Sequence, residues 1–77
     1  MEVQIIIFGQ LTDIFRAAEL RFRNAADTNE LINELNKKYP GLAEAKYTIA
    51  VNKRTITGNT VLQDGSIVAL MPPFSGG

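Results

Sequence analysis

The feature that most constrains the fold of this chain is a single amphipathic segment near its middle, which predicts one main helix. Asp27 is placed to cap the first turn, Glu30 to reach back to Asp27, and Pro40-Gly41 to end the helix. Glu34 and Lys38 are spaced for an i,i+4 ion pair on its exposed side. Apolar residues recur at the helical spacing of 3.6 residues, and they are Leu31, Ile32, Leu35 and Tyr39. Such a helix needs an apolar surface to cover, so we predict that it packs on a sheet.

Short β-type segments on both sides of the helix supply that sheet. Val3 to Phe8 is an almost continuous apolar run ended by Gly9, which is typical of a central strand covered on both faces. Leu20 to Arg23 alternates apolar and charged residues, as an edge or hairpin strand does. Three more segments are separated by turn residues at Asn52, Gly58-Asn59 and Asp64-Gly65. They are Tyr47 to Val51, Arg54 to Thr57 and Ser66 to Met71.

The order of these elements predicts the fold class. Between the first two strands, Leu11 to Ala18 has helical apolar spacing and a Thr12-Asp13 pair able to cap its first turn. A chain of 77 residues has material for only one hydrophobic core. We therefore predict an α+β fold, the β-grasp or ubiquitin-like roll, with a mixed sheet of about five strands and the main helix on one face. Other small α+β rolls share this element count, and spacing alone leaves them open.

Charge and composition exclude several classes of function. Eight Lys/Arg balance eight Asp/Glu, so the chain lacks the overall positive field needed for non-specific binding to nucleic acids or anionic membranes. No apolar run approaches the ~20 residues of a membrane span, and the N-terminus does not resemble a leader, so we expect a cytoplasmic protein. Cysteine and histidine are absent, which removes thiolate nucleophiles and the usual zinc ligands. We predict no metal, no stably bound cofactor and no catalysis by the chain alone.

The last six residues are a segment of a different kind. Pro72 and Pro73 remove two amide donors and favour an extended backbone, so we predict a domain over residues 1–71 and an extended tail over 72–77. Gly76 and Gly77 have no Cβ atoms and can enter a channel too narrow for other residues. Fully extended, six residues reach ~20 Å, enough to place the Gly77 carboxylate inside another protein. Taken alone, a Gly-Gly end is no more than a disordered terminus.

Four segments, spread over nearly the full length, carry a family resemblance. They are Phe8-Gly9, Tyr39-Pro40, Ala50-Val51-Asn52, and Asp64-Gly65 leading through Val68 into Pro72-Pro73-Phe74-Ser75-Gly76-Gly77. Together they resemble the MoaD-like small subunits of molybdopterin synthase, in the ubiquitin-like sulfur-carrier superfamily. The final hexapeptide is the specific part of this likeness, whereas each of the other segments alone is weak.

The resemblance implies a function for the tail as a substrate of other proteins. An ATP-dependent adenylating enzyme would activate the Gly77 carboxylate, which is then charged with sulfur as a thiocarboxylate. The tail would insert into the large synthase subunit and deliver sulfur for the dithiolene of molybdopterin. By this resemblance Gly77 carries the sulfur and Gly76 supplies clearance, while the residues that seat the tail are Pro72, Pro73, Phe74 and Ser75. ATP is used by the partner enzyme, and catalytic side chains belong to the partners.

The sequence also departs from the family pattern. Thr12-Asp13 stands where an Arg-Glu pair is common, Ser66 replaces a frequent acidic residue, and Phe74 is bulkier than usual. The first two departures put the surface contacts, and so the partner, in question. Phe8 is predicted either as an exposed partner-binding anchor or as an aromatic of the sheet core.

Two other classes of function stay open on the sequence alone. One is a carrier for another pathway, of the thiazole type, or a ubiquitin-like protein modifier, since both would use the same tail chemistry. The other is a β-grasp interaction module whose tail is idle.

Overall fold

The secondary structure follows the predicted order in the computed structural model, which describes residues 1–73. The helices and strands, in chain order, are β1 (Glu2–Ile7), α1 (Leu11–Phe15), β2 (Glu19–Arg23), α2 (Thr28–Lys38), β3 (Thr48–Val51), β4 (Arg54–Ile56) and β5 (Ile67–Met71). Pro40-Gly41 ends α2 as predicted, but the chain then continues as a 3₁₀ helix, Pro40–Glu44, which was not predicted. Pro40 fits the first turn of that helix because its missing amide would have no partner there. In the described part of the chain, no helix is long and apolar enough to cross a membrane.

All five strands form one mixed sheet in the order β2-β1-β5-β3-β4. The two central strands, β1 and β5, run parallel, and the other neighbouring pairs are antiparallel. A parallel pair needs a long crossover, and here the whole middle of the chain, including α2, forms it. The predicted mixed sheet with one main helix is confirmed, and β2 is an edge strand as predicted.

The core lies between α2 and one face of the sheet. Register places Ile5 beside Val68 and Ile7 beside Leu70, so the central strands present one continuous apolar surface. The fully buried side chains of largest volume are Ile5, Leu31, Leu35, Leu42, Leu70, Val3 and Val68. Two of these belong to the predicted apolar stripe of α2, which therefore covers the sheet as expected.

The prediction that the first strand is covered on both faces is wrong. Val3, Ile5 and Ile7 are buried, but Gln4 and Ile6 between them are only half-buried. β1 is central within the sheet, yet α2 packs on one side only. The described part of this short chain supplies one covering layer and no second layer for the other face.

The first helix is shorter than predicted and is not capped as predicted. It ends at Phe15 rather than Ala18, because Arg16 adopts a left-handed conformation (φ 57°) and donates its N–H to the Thr12 carbonyl at 2.7 Å. No side chain caps its start. The Thr12 hydroxyl instead donates to the Gly9 carbonyl at 2.8 Å, which holds the turn before the helix.

The start of α2 is capped almost as predicted. Asp27 accepts a hydrogen bond from the Glu30 backbone N–H at 2.8 Å, which confirms the cap. Glu30 reaches back one residue further than predicted, accepting from the Ala26 N–H at 2.9 Å rather than from Asp27. Both bonds satisfy backbone donors that the helix itself leaves free.

The predicted ion pair on α2 has a different partner. Glu34 pairs with Lys37 at 3.2 Å, the i,i+3 neighbour, and not with Lys38. The Lys38 ammonium lies 5.9 Å from the centroid of the Phe22 ring on the edge strand, within the range of a cation–π contact. The exposed side of α2 thus also contacts β2.

Candidate functional site

One face of the sheet is covered by no element among residues 1–73, and it carries apolar side chains. Successive residues of a strand point to opposite faces, and the core takes Ile5, Ile7, Val68 and Leu70. The residues between them point the other way. Register pairs Ile6 with Ala69, and Phe8 continues the alternation, since its N–H donates to the Leu70 carbonyl at 3.0 Å. We call this surface the open face, and its apolar residues are Ile6, Phe8, Ala50, Ile67, Ala69 and Met71.

Apolar residues are adjacent to one another on the open face, and two of them are exposed. Phe8 is 47% exposed and Ile67 is 40% exposed. Single exposed apolar residues are common on proteins, but contiguous ones mark interaction sites. The alternative that Phe8 is an aromatic of the sheet core is therefore wrong, while its role as a partner-binding anchor stays a prediction.

A charged rim borders the open face along the edge strand. Glu19, Arg21 and Arg23 of β2 lie across from Ile6, Gln4 and Glu2 of β1, and so point to the same side. Arg23 lies 3.8 Å from Glu2, and Glu19 accepts a hydrogen bond from the Gln4 side chain. An apolar centre with a polar rim is the usual composition of a protein–protein interface.

The root of the tail lies at one end of the open face. Pro72 is half-buried and Pro73 is exposed. A Cβ placed on Gly9 would lie only 2.9 Å from Cγ of Pro72, so the proline ring sits directly on the Phe8-Gly9 turn. The structure thus brings together three predicted site residues, Phe8, Pro72 and Pro73.

A groove of about 500 Å³ adjoins the tail root, and we call it the tail-root groove. It lies between the prolines and the first helix, and its lining residues are Gln10, Leu11, Ile14, Ala45, Lys46, Pro72 and Pro73. The other predicted site residues, Phe74, Ser75, Gly76 and Gly77, lie outside the described residues. The division into a domain and a tail at residue 71 stays a prediction.

Two departures from the family pattern have internal explanations. Ser66 is only 5% exposed, and its hydroxyl accepts a hydrogen bond from the Gln63 N–H at 2.9 Å. It holds the turn before β5, so Ser66 itself offers almost no surface to a partner. Thr12 is half-buried and bonds the Gly9 carbonyl through its hydroxyl, whereas Asp13 is exposed. Of these three residues, only Asp13 is fully available to a partner.

A second and larger groove, of about 760 Å³, lies between α2 and the β3-β4 hairpin. None of its lining residues is charged, and none also lines the tail-root groove. Tyr47 belongs to it, and burial raises the pKa of the Tyr47 phenol above its ordinary value. Within residues 1–73, no three His, Cys, Asp or Glu side chains are grouped to hold a metal ion.

Comparison with known proteins decides the family. The ThiS family profile matches residues 5–77. The chain belongs to the ThiS family. The match extends through the final glycines, so the segment that carried the sequence resemblance is part of it. The predicted membership of the sulfur-carrier superfamily is confirmed.

Individual proteins similar to this chain agree with this assignment. The molybdopterin synthase sulfur carrier subunit of Mycobacterium tuberculosis is 32% identical, over 100% of this chain and 99% of its own length. A solved protein–protein complex of subunits 1 and 2 of molybdopterin-converting factor from Helicobacter pylori contains a chain with 31% identity and a TM-score of 0.75, covering 100% of both chains. Small archaeal modifier protein 1 from Methanosarcina acetivorans has a TM-score of 0.82 at 23% identity, over 99% of this chain and 96% of that one. The last likeness shows the fold alone, and the β-grasp prediction is confirmed.

Sequence reasoning missed several residues of this site. It named Phe8 on the open face but not Ile6, Ile67 or Met71, although the period-two alternation of β5 was a usable signal. It also missed the contact between Gly9 and Pro72. No local signal predicts that contact, because it joins the first turn of the chain to its last strand.

Proposed function

We propose that this chain is the sulfur carrier subunit of a molybdopterin synthase, carrying sulfur as a thiocarboxylate on Gly77. The observation that carries the proposal is the likeness to the Mycobacterium tuberculosis sulfur carrier subunit, which spans the whole of this chain. The complex of subunits 1 and 2 from Helicobacter pylori, whose matching chain is 31% identical, supports a large subunit as the partner. We further propose that the protein acts in the cytoplasm.

The chemistry of the tail needs two partners in succession. A free carboxylate is a poor electrophile, so an ATP-dependent enzyme first forms the acyl-adenylate on Gly77 and releases pyrophosphate. A sulfur nucleophile then attacks the acyl carbon and AMP leaves, which gives the thiocarboxylate. The chain has no cysteine, so no thiol of its own competes in this exchange. The large subunit supplies the catalytic side chains for transfer to the pterin.

The geometry of the described residues suits this division of labour. The open face offers an apolar docking surface with Phe8 near the root of the tail. A partner that covers this face holds the tail root at a fixed distance from its own catalytic centre. Positioning of this kind lowers the barrier by removing the search for a reactive geometry.

Intact mass spectrometry tests the proposal directly. The protein is incubated with the cognate adenylating enzyme, ATP and a sulfur donor, and we expect one oxygen to be exchanged for sulfur. Addition of the large subunit and its pterin substrate should then remove that sulfur, with two charged carriers returned to the carboxylate form for each dithiolene made. A charged protein that keeps its sulfur in the presence of a competent large subunit would contradict the proposal. Conjugates with lysine side chains would favour a protein modifier instead, and delivery of sulfur to a thiazole precursor would favour another carrier.

The tip of the tail offers a geometric test of the same proposal. We expect that deleting Gly77, or adding one residue after it, abolishes sulfur transfer, because the reacting carboxylate is then misplaced. Both changes leave every core residue of the described domain in place, so Tm should barely change. Transfer by either variant at the wild-type rate would contradict the role of Gly77.

A further inference from the structure

The Phe8-Gly9 turn and Pro72 are packed more closely than any side chain at position 9 would allow. Gly9 has φ of 60°, a left-handed conformation that strains every L-residue. A Cβ there would lie 2.9 Å from Cγ and 3.5 Å from Cδ of Pro72. An ordinary contact begins at 3.4 Å, so either the turn or the proline would have to move by about 0.5 Å.

The turn is held more firmly than the proline. The Gly9 carbonyl accepts two hydrogen bonds from Thr12, from its N–H at 3.1 Å and from its hydroxyl at 2.8 Å. On the other side of the turn, the Phe8 N–H donates to the Leu70 carbonyl at 3.0 Å. Pro72 lies just beyond the end of β5, and its nitrogen carries no hydrogen to donate. Pro72 is therefore the part that yields when a side chain is placed at position 9.

We propose that Gly9 is a positioning residue for sulfur transfer, because the space it leaves sets where Pro72 lies and so the direction in which the tail leaves the sheet. This inference rests on the proposed function, in which the tail must reach a partner's catalytic centre. Pro72 and Pro73 have φ fixed by their rings, which leaves only ψ to absorb a displacement of Pro72, so part of the displacement is passed along the chain. Misplacement of reacting groups by ~1 Å can reduce rates by up to ~100-fold.

A second glycine provides the matched control for backbone strain. Gly65 also has a left-handed conformation, with φ of 86°, but nothing lies within 4 Å of the position of its Cβ. Gly65→Ala should therefore lower Tm by about 5 °C through strain at positive φ, and Gly9→Ala should lower Tm by at least as much. Only Gly9→Ala should also displace Pro72.

The experiment measures single-turnover sulfur transfer from charged carrier to a saturating concentration of the large subunit, well below Tm. We expect Gly9→Ala to lower the rate constant by about tenfold, with Gly65→Ala within about twofold of wild type. Affinity for the large subunit should fall much less than the rate. In the Pro72→Ala background the clashing ring atom is gone. Adding Gly9→Ala there should change the rate by less than about twofold relative to Pro72→Ala alone.

Each outcome supports or overturns the inference. Equal rates for Gly9→Ala and Gly65→Ala overturn it, as does a tenfold loss from Gly9→Ala that is undiminished in the Pro72→Ala background. If Gly9→Ala alone does not fold, recovery of folding in the double variant supports the clash with Pro72, and a roughly tenfold loss of rate relative to Pro72→Ala overturns the inference. A wild-type protein that is charged but transfers no sulfur defeats the proposed function and this inference with it. If wild-type protein transfers sulfur and Gly9→Ala transfers it at the same rate, only the inference about Gly9 is defeated.

Discussion

The two faces of the sheet are built from the same strands but are used differently. On the covered face, side chains such as Ile5 and Val68 are completely buried under α2. On the open face, their immediate neighbours Ile6 and Ile67 are similarly apolar but remain half-buried or exposed. Folding alone does not need apolar residues on a face that no described element covers. The difference indicates that one face provides stability and the other is suited to binding a partner.

The largest expected effect is the loss of stability when a side chain under the covered face is shortened. Leu31 is completely buried, so Leu31→Ala leaves a cavity and should cost about 3 kcal/mol of unfolding free energy. In a domain of this size, Tm should fall by about 15 °C, measured by calorimetry or circular dichroism. Ile67→Ala on the open face is the control and should lower Tm by only a few degrees. A similar loss in both variants would mean that the two faces contribute equally to folding.

The next effect tests the open face. Phe8→Ala should weaken binding to the large subunit by about 2 kcal/mol, which is about thirtyfold, because exposed aromatics often act as interface anchors. Tm of the isolated protein should change little. Isothermal calorimetry measures the affinity, and Val61→Ala is the control, since Val61 is 74% exposed but lies outside the sheet. Unchanged affinity of Phe8→Ala would remove Phe8 from the interface.

A smaller effect concerns the helix that covers the core. Asp27→Ala removes the capping bond to the Glu30 N–H and should cost about 1 kcal/mol, or about 5 °C in Tm. Asp13→Ala is the matched control, because α1 has no side-chain capping bond at its start. If Asp13→Ala destabilises the protein as much as Asp27→Ala, the assigned cap does not explain the loss.

The smallest effect is a dependence on alkaline pH. Burial raises the pKa of Tyr47, so the folded state favours the neutral phenol. This contribution to stability is complete below the ordinary tyrosine pKa of about 10 and is lost as pH rises through the raised value. Between about pH 9 and about pH 11, the Tm of Tyr47→Phe should therefore fall less than the Tm of the wild-type protein. Parallel Tm curves for the two proteins would contradict the assignment to Tyr47.

The sequence predicted those parts of the fold that depend on local signals. Such signals lie within a few neighbouring residues. They include the spacing of Leu31 and Leu35, the cap at Asp27, and the turns before β4 and β5. At the β3-β4 turn, Asn52 and Lys53 both have positive φ, as a two-residue hairpin requires. The tail motif likewise needed no tertiary information, and it predicted the family correctly.

The errors arose where distant parts of the chain decide the structure. An apolar run such as Ile5-Ile6-Ile7 cannot reveal whether one or two layers will cover the strand. The burial of Ser66 depends on how its turn packs, and a family pattern at that position does not show it. Phe8 could be either core or surface until the register of β1 with β5 was known. The approach of Gly9 to Pro72 follows from that same register.

The parallel pairing of β1 with β5 also orders events during synthesis. β1 can complete its pairing only after β5 has been synthesised, because these two paired strands are the first and the last of the described elements. A chain cut short before Ile67 lacks the partner of β1 and its share of the core. Such a chain cannot reach the native state, so it is exposed to proteases. The complete sheet therefore forms only in a chain that includes β5, the strand at the root of the tail.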